Sequence, residues 1–168
     1  MKTMDLEVTV NGNLLHWTIA PGELLLDALR RHGYVGVKRG CEEGECGACA
    51  VLLDGKPVNS CLVFAAQAEG RRIVTVEGVA VDGKLDPVQE AFLDHGAVQC
   101  GFCTSGMVIG AKALLDRCPD PTEADVREAL AGHLCRCTGY LKPVEAVLAA
   151  AAKKKKSRRA RPVAEVAR

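Results

Sequence analysis

Nine cysteines stand in this chain of 168 residues, at positions 41, 46, 49, 61, 100, 103, 118, 135 and 137. The first four read Cys41-x4-Cys46-x2-Cys49 and then Cys61. That is the plant-type spacing for a 2Fe–2S cluster, with three thiolates on one short loop and the fourth farther along the chain. A two-iron cluster needs four thiolates, and a loop plus a neighbouring strand can surround it without a large cavity. Gly40, Gly44 and Gly47 interleave with these cysteines and are read as cofactor-binding positions. They let the loop curl so that backbone N–H groups point at the cluster sulfurs, where such donors help set the potential. Zinc loops pair two Cys-x2-4-Cys arms. The longer first step and the dense glycine argue against zinc at this set.

The second set is Cys100-x2-Cys103 with Cys135-x-Cys137. The first pair is expected at the start of one helix and the second just beyond the end of another, so both can converge on one metal centre. Spacing leaves the occupant open. Tetrahedral zinc competes with a second 2Fe–2S cluster, which is favoured by the short Cys-x-Cys arm and by the use of a second redox centre beside the first. Spacing also leaves open which cysteines share an iron. Cys118 is left over and reads as a buried or partly buried thiol. His16, His32, His95 and His133 show no ligand spacing, and His133 is read as structural although it lies near Cys135. No Ser/His/Asp grouping, P-loop or glycine-rich dinucleotide motif occurs.

The elements that must position these groups follow from periodicity. Leu6, Val8 and Val10 alternate with polar residues as in a half-buried strand. Asn11-Gly12 is a hairpin turn signal, and a second strand follows over 14–19. Residues 23–32 predict a helix stopped at Gly33. Residues 50–53 and 56–61 predict a strand pair around Asp54-Gly55, and 72–77 a further strand after a short helical piece. The period then becomes helical over 87–95 and 104–117, with Pro119 as terminator. Thr122 and Asp125 resemble a capping box that opens a helix to about Gly132. A last helix is predicted over 143–152, opening on proline. The fold class is therefore α+β. A β-rich domain over 1–81 precedes a helical domain over 82–152.

Composition agrees with a folded chain, at 48% hydrophobic residues. No apolar run is long enough for a membrane span. The N-terminus MKTMDLEVTV lacks the apolar stretch of a secretory signal. A cytoplasmic location is expected, where thiols stay reduced and a cysteine cluster is read as metal-binding. Residues 153–168 hold eight of the 22 Lys and Arg and one acid, Glu165. The body is thus mildly acidic, and the basic tail is expected to be disordered. No nucleic-acid partner is expected.

Three runs carry a wider resemblance: GCEEGECGACAVLLDGKPVNSC (40–61), GAVQCGFCTSGM (96–107) and GHLCRCTGY (132–140). Together they resemble the iron–sulfur subunit of the molybdenum hydroxylase family, which includes xanthine dehydrogenases, aldehyde oxidoreductases, carbon monoxide dehydrogenases and 4-hydroxybenzoyl-CoA reductases. The resemblance runs from about residue 5 to 150. It implies a β-grasp 2Fe–2S ferredoxin-like domain followed by a four-helix bundle holding a second 2Fe–2S cluster. The implied metal ligands are Cys41, Cys46, Cys49 and Cys61, then Cys100, Cys103, Cys135 and Cys137. It further implies a large partner subunit with the molybdopterin cofactor and substrate. A medium subunit with FAD and assembly as a dimer of heterotrimers are also implied. The helical-domain cluster would lie nearest molybdenum, with Gln99 hydrogen-bonded to the pterin and Cys137 beside it. The implied role is an electron conduit in an oxidoreductase, against which a free ferredoxin-like carrier and a zinc-stabilised module compete. Two departures stand out. Thr104-Ser105-Gly106 replaces the Thr-Pro-Gly of many relatives, and His133 stands where many have Asn. Neither position is a ligand.

Overall fold

The computed structural model describes residues 2–160. Strands β1 (Met4–Val10) and β2 (Asn13–Ile19) form an antiparallel hairpin. Its turn residues Asn11 and Gly12 both take positive φ, at 51° and 84°, as the tight primed turn requires. Helix α1 (Leu25–Arg31) follows, then β3 (Ala50–Leu53), β4 (Lys56–Asn59) and β5 (Arg72–Val74). Together they make one mixed sheet in the order β2-β1-β5-β3-β4, with β1 and β5 parallel. Leu6, Val8 and Val10 are buried, together with Trp17, Ile19 and the α1 residues Leu25, Leu26 and Leu29. The alternation in β1 thus places one face on a core and leaves the other to solvent.

Four helices follow: α2 (Pro87–Asp94), α3 (Thr104–Arg117), α4 (Glu123–Leu130) and α5 (Leu141–Ala160). They enclose a second core around Phe92, Met107, Ile109, Leu115, Val126 and Val147. The architecture is α+β. Strand β3 belongs to both cores. Val51 and Leu53 face the sheet core, whereas Ala50 and Leu52 join the helical one. A strand buried on both faces reads as a continuous apolar run, which is what AVLL is.

Strand β4 ends at Asn59, short of the predicted 61, because Ser60–Leu62 form a 3-10 turn, and three further differences from the sequence reading have a visible cause. Strand β5 stops at Val74 because the Asn11 side chain captures the next residue: its Oδ1 accepts from Thr75 N at 2.9 Å and its Nδ2 donates to Thr75 Oγ1 at 3.0 Å. Helix α5 opens at Leu141, so Pro143 falls at its third position, still within the first turn where no N–H is needed. Finally, the basic segment expected to be disordered from Lys153 continues α5 to Ala160. Lys153 pairs with Glu90 of α2, Lys154 with Asp116 at 3.6 Å and Lys155 with Asp120 at 2.6 Å. Lysine is a good helix former, and cations suit a helix C-terminus. Residues 161–168 of that expectation lie outside the described residues.

The helical half depends on its caps. Asp86 opens α2 with Pro87 at the first position. Thr122 opens α4, where its Oγ1 accepts from Asp125 N at 3.2 Å and the Asp125 carboxylate accepts from Thr122 N at 2.7 Å. Changing Thr122 to Ala is expected to cost about 1 kcal/mol, the usual N-cap loss. Thermal unfolding would show it as a lower midpoint with unchanged iron content. The hydroxyl and N–H of Thr122 hold the Asp125 carboxyl below the ordinary carboxylate range. Its contribution is therefore present above the unfolded-state value and lost as pH falls through the folded one. The difference between wild type and variant should shrink on acidification.

Candidate metal centres

The loop bearing Cys41, Cys46 and Cys49 is fixed at its base and along its sides. Arg30 donates from Nη1 to the carbonyls of Val35 and Val37, at 3.2 and 2.7 Å. Lys38 N donates to Ala48 O at 3.1 Å and closes the neck. Asn59 Nδ2 donates to Gly44 O at 2.7 Å and Ser60 Oγ to Cys49 O at 2.8 Å. These two bonds tie the loop to the end of β4, where Cys61 follows. Inside the loop, Glu43 N and Cys46 N each donate to Cys41 Sγ at 3.4 Å. Those donors bring the Cys41 thiol down to about 7. Burial pushes Cys61 up to about 11, with Cys49 hydrogen-bonded beside it. The four thiols thus stand as two pairs, Cys41 with Cys46 and Cys49 with Cys61. The glycines are needed. A Cβ on Gly40 would lie 2.7 Å from Cys46 Sγ, and Gly44 has a φ of 81°, in the left-handed region that a side chain strains.

The second set is built on helix ends. Cys103 is the residue that opens α3. Cys135 and Cys137 lie in the turn between α4 and α5. Burial pushes Cys103 up to about 12, with the Cys135 thiol hydrogen-bonded to it. For Cys135 itself burial acts upward, but donors from the Thr138 hydroxyl at 3.1 Å and from Thr138 N and Cys137 N outweigh it. The result is a thiol at about 7. The thiolate is the form that binds metal, and a thiol that ionises near neutrality supplies it readily. Cys137 Sγ lies 3.6 Å from Cys100 Sγ. These four thiols, with Phe102, Leu134 and Arg136, line a pocket of about 210 Å³. Tyr140 braces the turn by accepting from Cys135 N at 2.8 Å.

The two sets meet. Leu134 N donates to Cys46 O at 3.0 Å, and His133 Nδ1 lies 3.2 Å from Gly47 O. Gln99, proposed from the sequence for pterin contact, is exposed and donates from Nε2 to Cys137 O at 3.1 Å. Cys118 ends α3 away from both sets and is partly buried. Among the described residues no three Cys, His, Asp or Glu close on a single ion. The thiols are instead arranged two by two. Soft sulfur donors in that arrangement fit two-iron clusters, each iron taking two thiolates.

Comparison with known proteins agrees. Residues 8–75 match the 2Fe-2S iron-sulfur cluster binding domain and residues 75–148 the [2Fe-2S] binding domain. The second match decides for 2Fe–2S over zinc in the helical half. The nicotinate dehydrogenase small FeS subunit of Eubacterium barkeri is 50% identical over 143 residues, covering 84% of this chain and 91% of that protein. The xanthine dehydrogenase iron-sulfur-binding subunit of Escherichia coli O157:H7 is 48% identical over 149 residues, covering 88% and 94%. The chain belongs to the iron–sulfur subunits of the molybdenum hydroxylase family. Among solved structures, quinoline 2-oxidoreductase from Pseudomonas putida 86 is similar with a TM-score of 0.89 and 43% identity, covering 93% of this chain and 98% of that one.

As a molybdenum hydroxylase iron–sulfur subunit, the chain is part of an oxidoreductase and carries two 2Fe–2S binding domains. Among the described residues no helix is long and apolar enough to cross a membrane. Sequence reasoning did not single out Asn59, Ser60, Thr138 or Tyr140, which hold the cysteine segments without carrying metal-binding chemistry of their own. All four fall inside the runs that carry the family resemblance. That is the one signal that could have marked them.

Proposed function

We propose that this chain carries single electrons between the molybdenum cofactor of a large partner subunit and a flavin subunit or another acceptor. One 2Fe–2S cluster is held by Cys41, Cys46, Cys49 and Cys61, the other by Cys100, Cys103, Cys135 and Cys137. The observation that carries this reading is the juxtaposition of two four-thiol sets, each divided into pairs and joined by the Leu134–Cys46 hydrogen bond. The thiol contacts support one sharing of the irons: Cys41 with Cys46, Cys49 with Cys61, Cys100 with Cys137, and Cys103 with Cys135. When bound, each cluster supplies a centre that gains and loses one electron. The protein's part is to hold, orient and shield. Backbone and hydroxyl donors at Cys41 and Cys135 favour the charged sulfurs, and burial at Cys61 and Cys103 excludes water.

The helical half acts as a four-helix bundle and the sheet half as a β-grasp ferredoxin-like domain. Cys100 and Cys137 are exposed, with Phe102, Leu134 and Leu141 also exposed around that end. This face takes the molybdopterin subunit, with Gln99 and Cys137 toward the pterin. Leu62 and Phe64, exposed beside Cys61, form the side nearer the acceptor. A dimer of heterotrimers in the cytoplasm is the assembly proposed. Purification of the native complex tests the reading. A molybdenum-bearing chain should co-purify, with about four irons and four labile sulfides per copy of this subunit. A colourless chain isolated alone with zinc bound would overturn it.

A further inference from the structure

Gly47 stands between Cys46 and Cys49, and its carbonyl is met from three sides. Ala50 N donates to it at 3.1 Å, and His133 Nδ1 lies 3.2 Å away. Gly106 of α3 presses so closely that a Cβ there would overlap the oxygen. A carbonyl oxygen only accepts, so the hydrogen bond places the ring proton of His133 on Nδ1. The His133 side chain is buried, at 8% exposure. It fills a slot on α3 left by Gly106 and Gly110, one turn apart. A Cβ at 106 would come within 3.1 Å of Nδ1, and one at 110 would overlap Nε2. The next residue, Leu134, donates to Cys46 O. Two consecutive residues, directly before Cys135, therefore hold two consecutive carbonyls of the other cysteine loop.

We infer that His133 is a positioning residue: seated in the two-glycine slot of α3, its ring N–H holds the Gly47 carbonyl and so fixes one cysteine loop against the other. The inference rests on the reading that these loops hold two clusters. The imidazole supplies both a donor and bulk, and the two roles separate by substitution. Asn keeps a side-chain N–H donor but underfills the slot. Leu fills the slot but has no donor.

The test uses the purified complex carrying His133→Asn or His133→Leu, with Gly110→Ala as a third variant that displaces the ring while leaving residue 133 unchanged. Three quantities are read: iron per chain, the magnetic interaction between the two reduced clusters by EPR, and hydrogen exchange of the peptide containing the Leu134 amide. His133→Leu and Gly110→Ala should keep their iron, weaken the magnetic interaction and speed that exchange by about fivefold. This is the ratio to which one hydrogen bond of about 1 kcal/mol converts at 25 °C. His133→Asn should stay near wild type in all three. Wild-type interaction and exchange in His133→Leu would overturn the inference, as would loss in His133→Asn equal to that in His133→Leu. If His133→Leu fails to assemble, Gly110→Ala decides alone, and wild-type behaviour there overturns the inference. Absence of two cluster signals from the wild type would instead defeat the cluster reading, while the exchange measurement would still report on His133.

Discussion

Changing Cys103 to Ser should halve the iron of the subunit, from about four to about two per chain, and abolish one of its two paramagnetic signals. Cys103 opens α3, is 7% exposed and belongs to the helical core. The substitution has two costs. By the proposed assignment, the second cluster loses one of its four thiolates. A hydroxyl is also placed where a buried thiol stood, and an unpaired buried hydroxyl costs about 1–3 kcal/mol. Because metal binding is coupled to folding, the helical half should also unfold at lower temperature. The signal of the 41–61 centre should survive. Under the proposed order, substrate would then reduce neither centre, because the helical centre lies between molybdenum and the other. Cys46→Ser gives the complementary pattern: the helical centre is still reduced by substrate, and turnover with the outer acceptor collapses. Stopped-flow reduction followed at each centre's own signal checks both. Equal loss of helical-centre reduction in the two variants, with both folded, would contradict the order.

Changing Gly47 to Ala should prevent assembly of the first centre although no thiol is touched. Gly47 has φ of 66°, a left-handed conformation that costs an ordinary residue about 1–2 kcal/mol. Its Cβ would overlap the backbone carbonyl oxygen of Gly132 and crowd the His133 ring at 2.5 Å. Overpacking of this kind adds about 1–3 kcal/mol, and a backbone oxygen cannot swing aside as a side chain can. The strain falls on the loop between Cys46 and Cys49. Gly55→Ala is the control: its φ is 80° but nothing lies within 4 Å of the new Cβ. It should carry only the conformational cost and keep its iron. Iron analysis and thermal unfolding of the two variants separate crowding from backbone strain. Equal iron content in both would count against the crowding argument.

Local signals in this chain were legible where one element answered to one period. The alternation of Leu6, Val8 and Val10 marks β1, and the helical spacing over 104–117 coincides with α3. The Thr122–Asp125 cap opens α4 as its residue types suggest. The cysteine spacings marked two sets because each set combines short-range partners. What stayed hidden depends on residues far apart in sequence. Strand β3 illustrates this through Ala50 and Leu52, which join the helical core: an unbroken apolar run carries no period to say which face meets which layer. The end of β5 is set by Asn11, 64 residues away from Thr75. The extension of α5 through its lysines rests on acids of α2 and of the α3–α4 region. The place of His133 between the cysteine loops depends on Gly47, 86 residues earlier. No local pattern announces such contacts.

The most direct test is a reductive titration of the purified complex followed by EPR, with iron and zinc measured on the same sample. The expected result is two distinct 2Fe–2S signals, each developing with one electron, from about four irons per chain. Cys46→Ser should remove one signal and Cys103→Ser the other. A single signal from the wild type, or about one zinc with only two irons, would contradict the assignment of two electron-carrying clusters to this subunit.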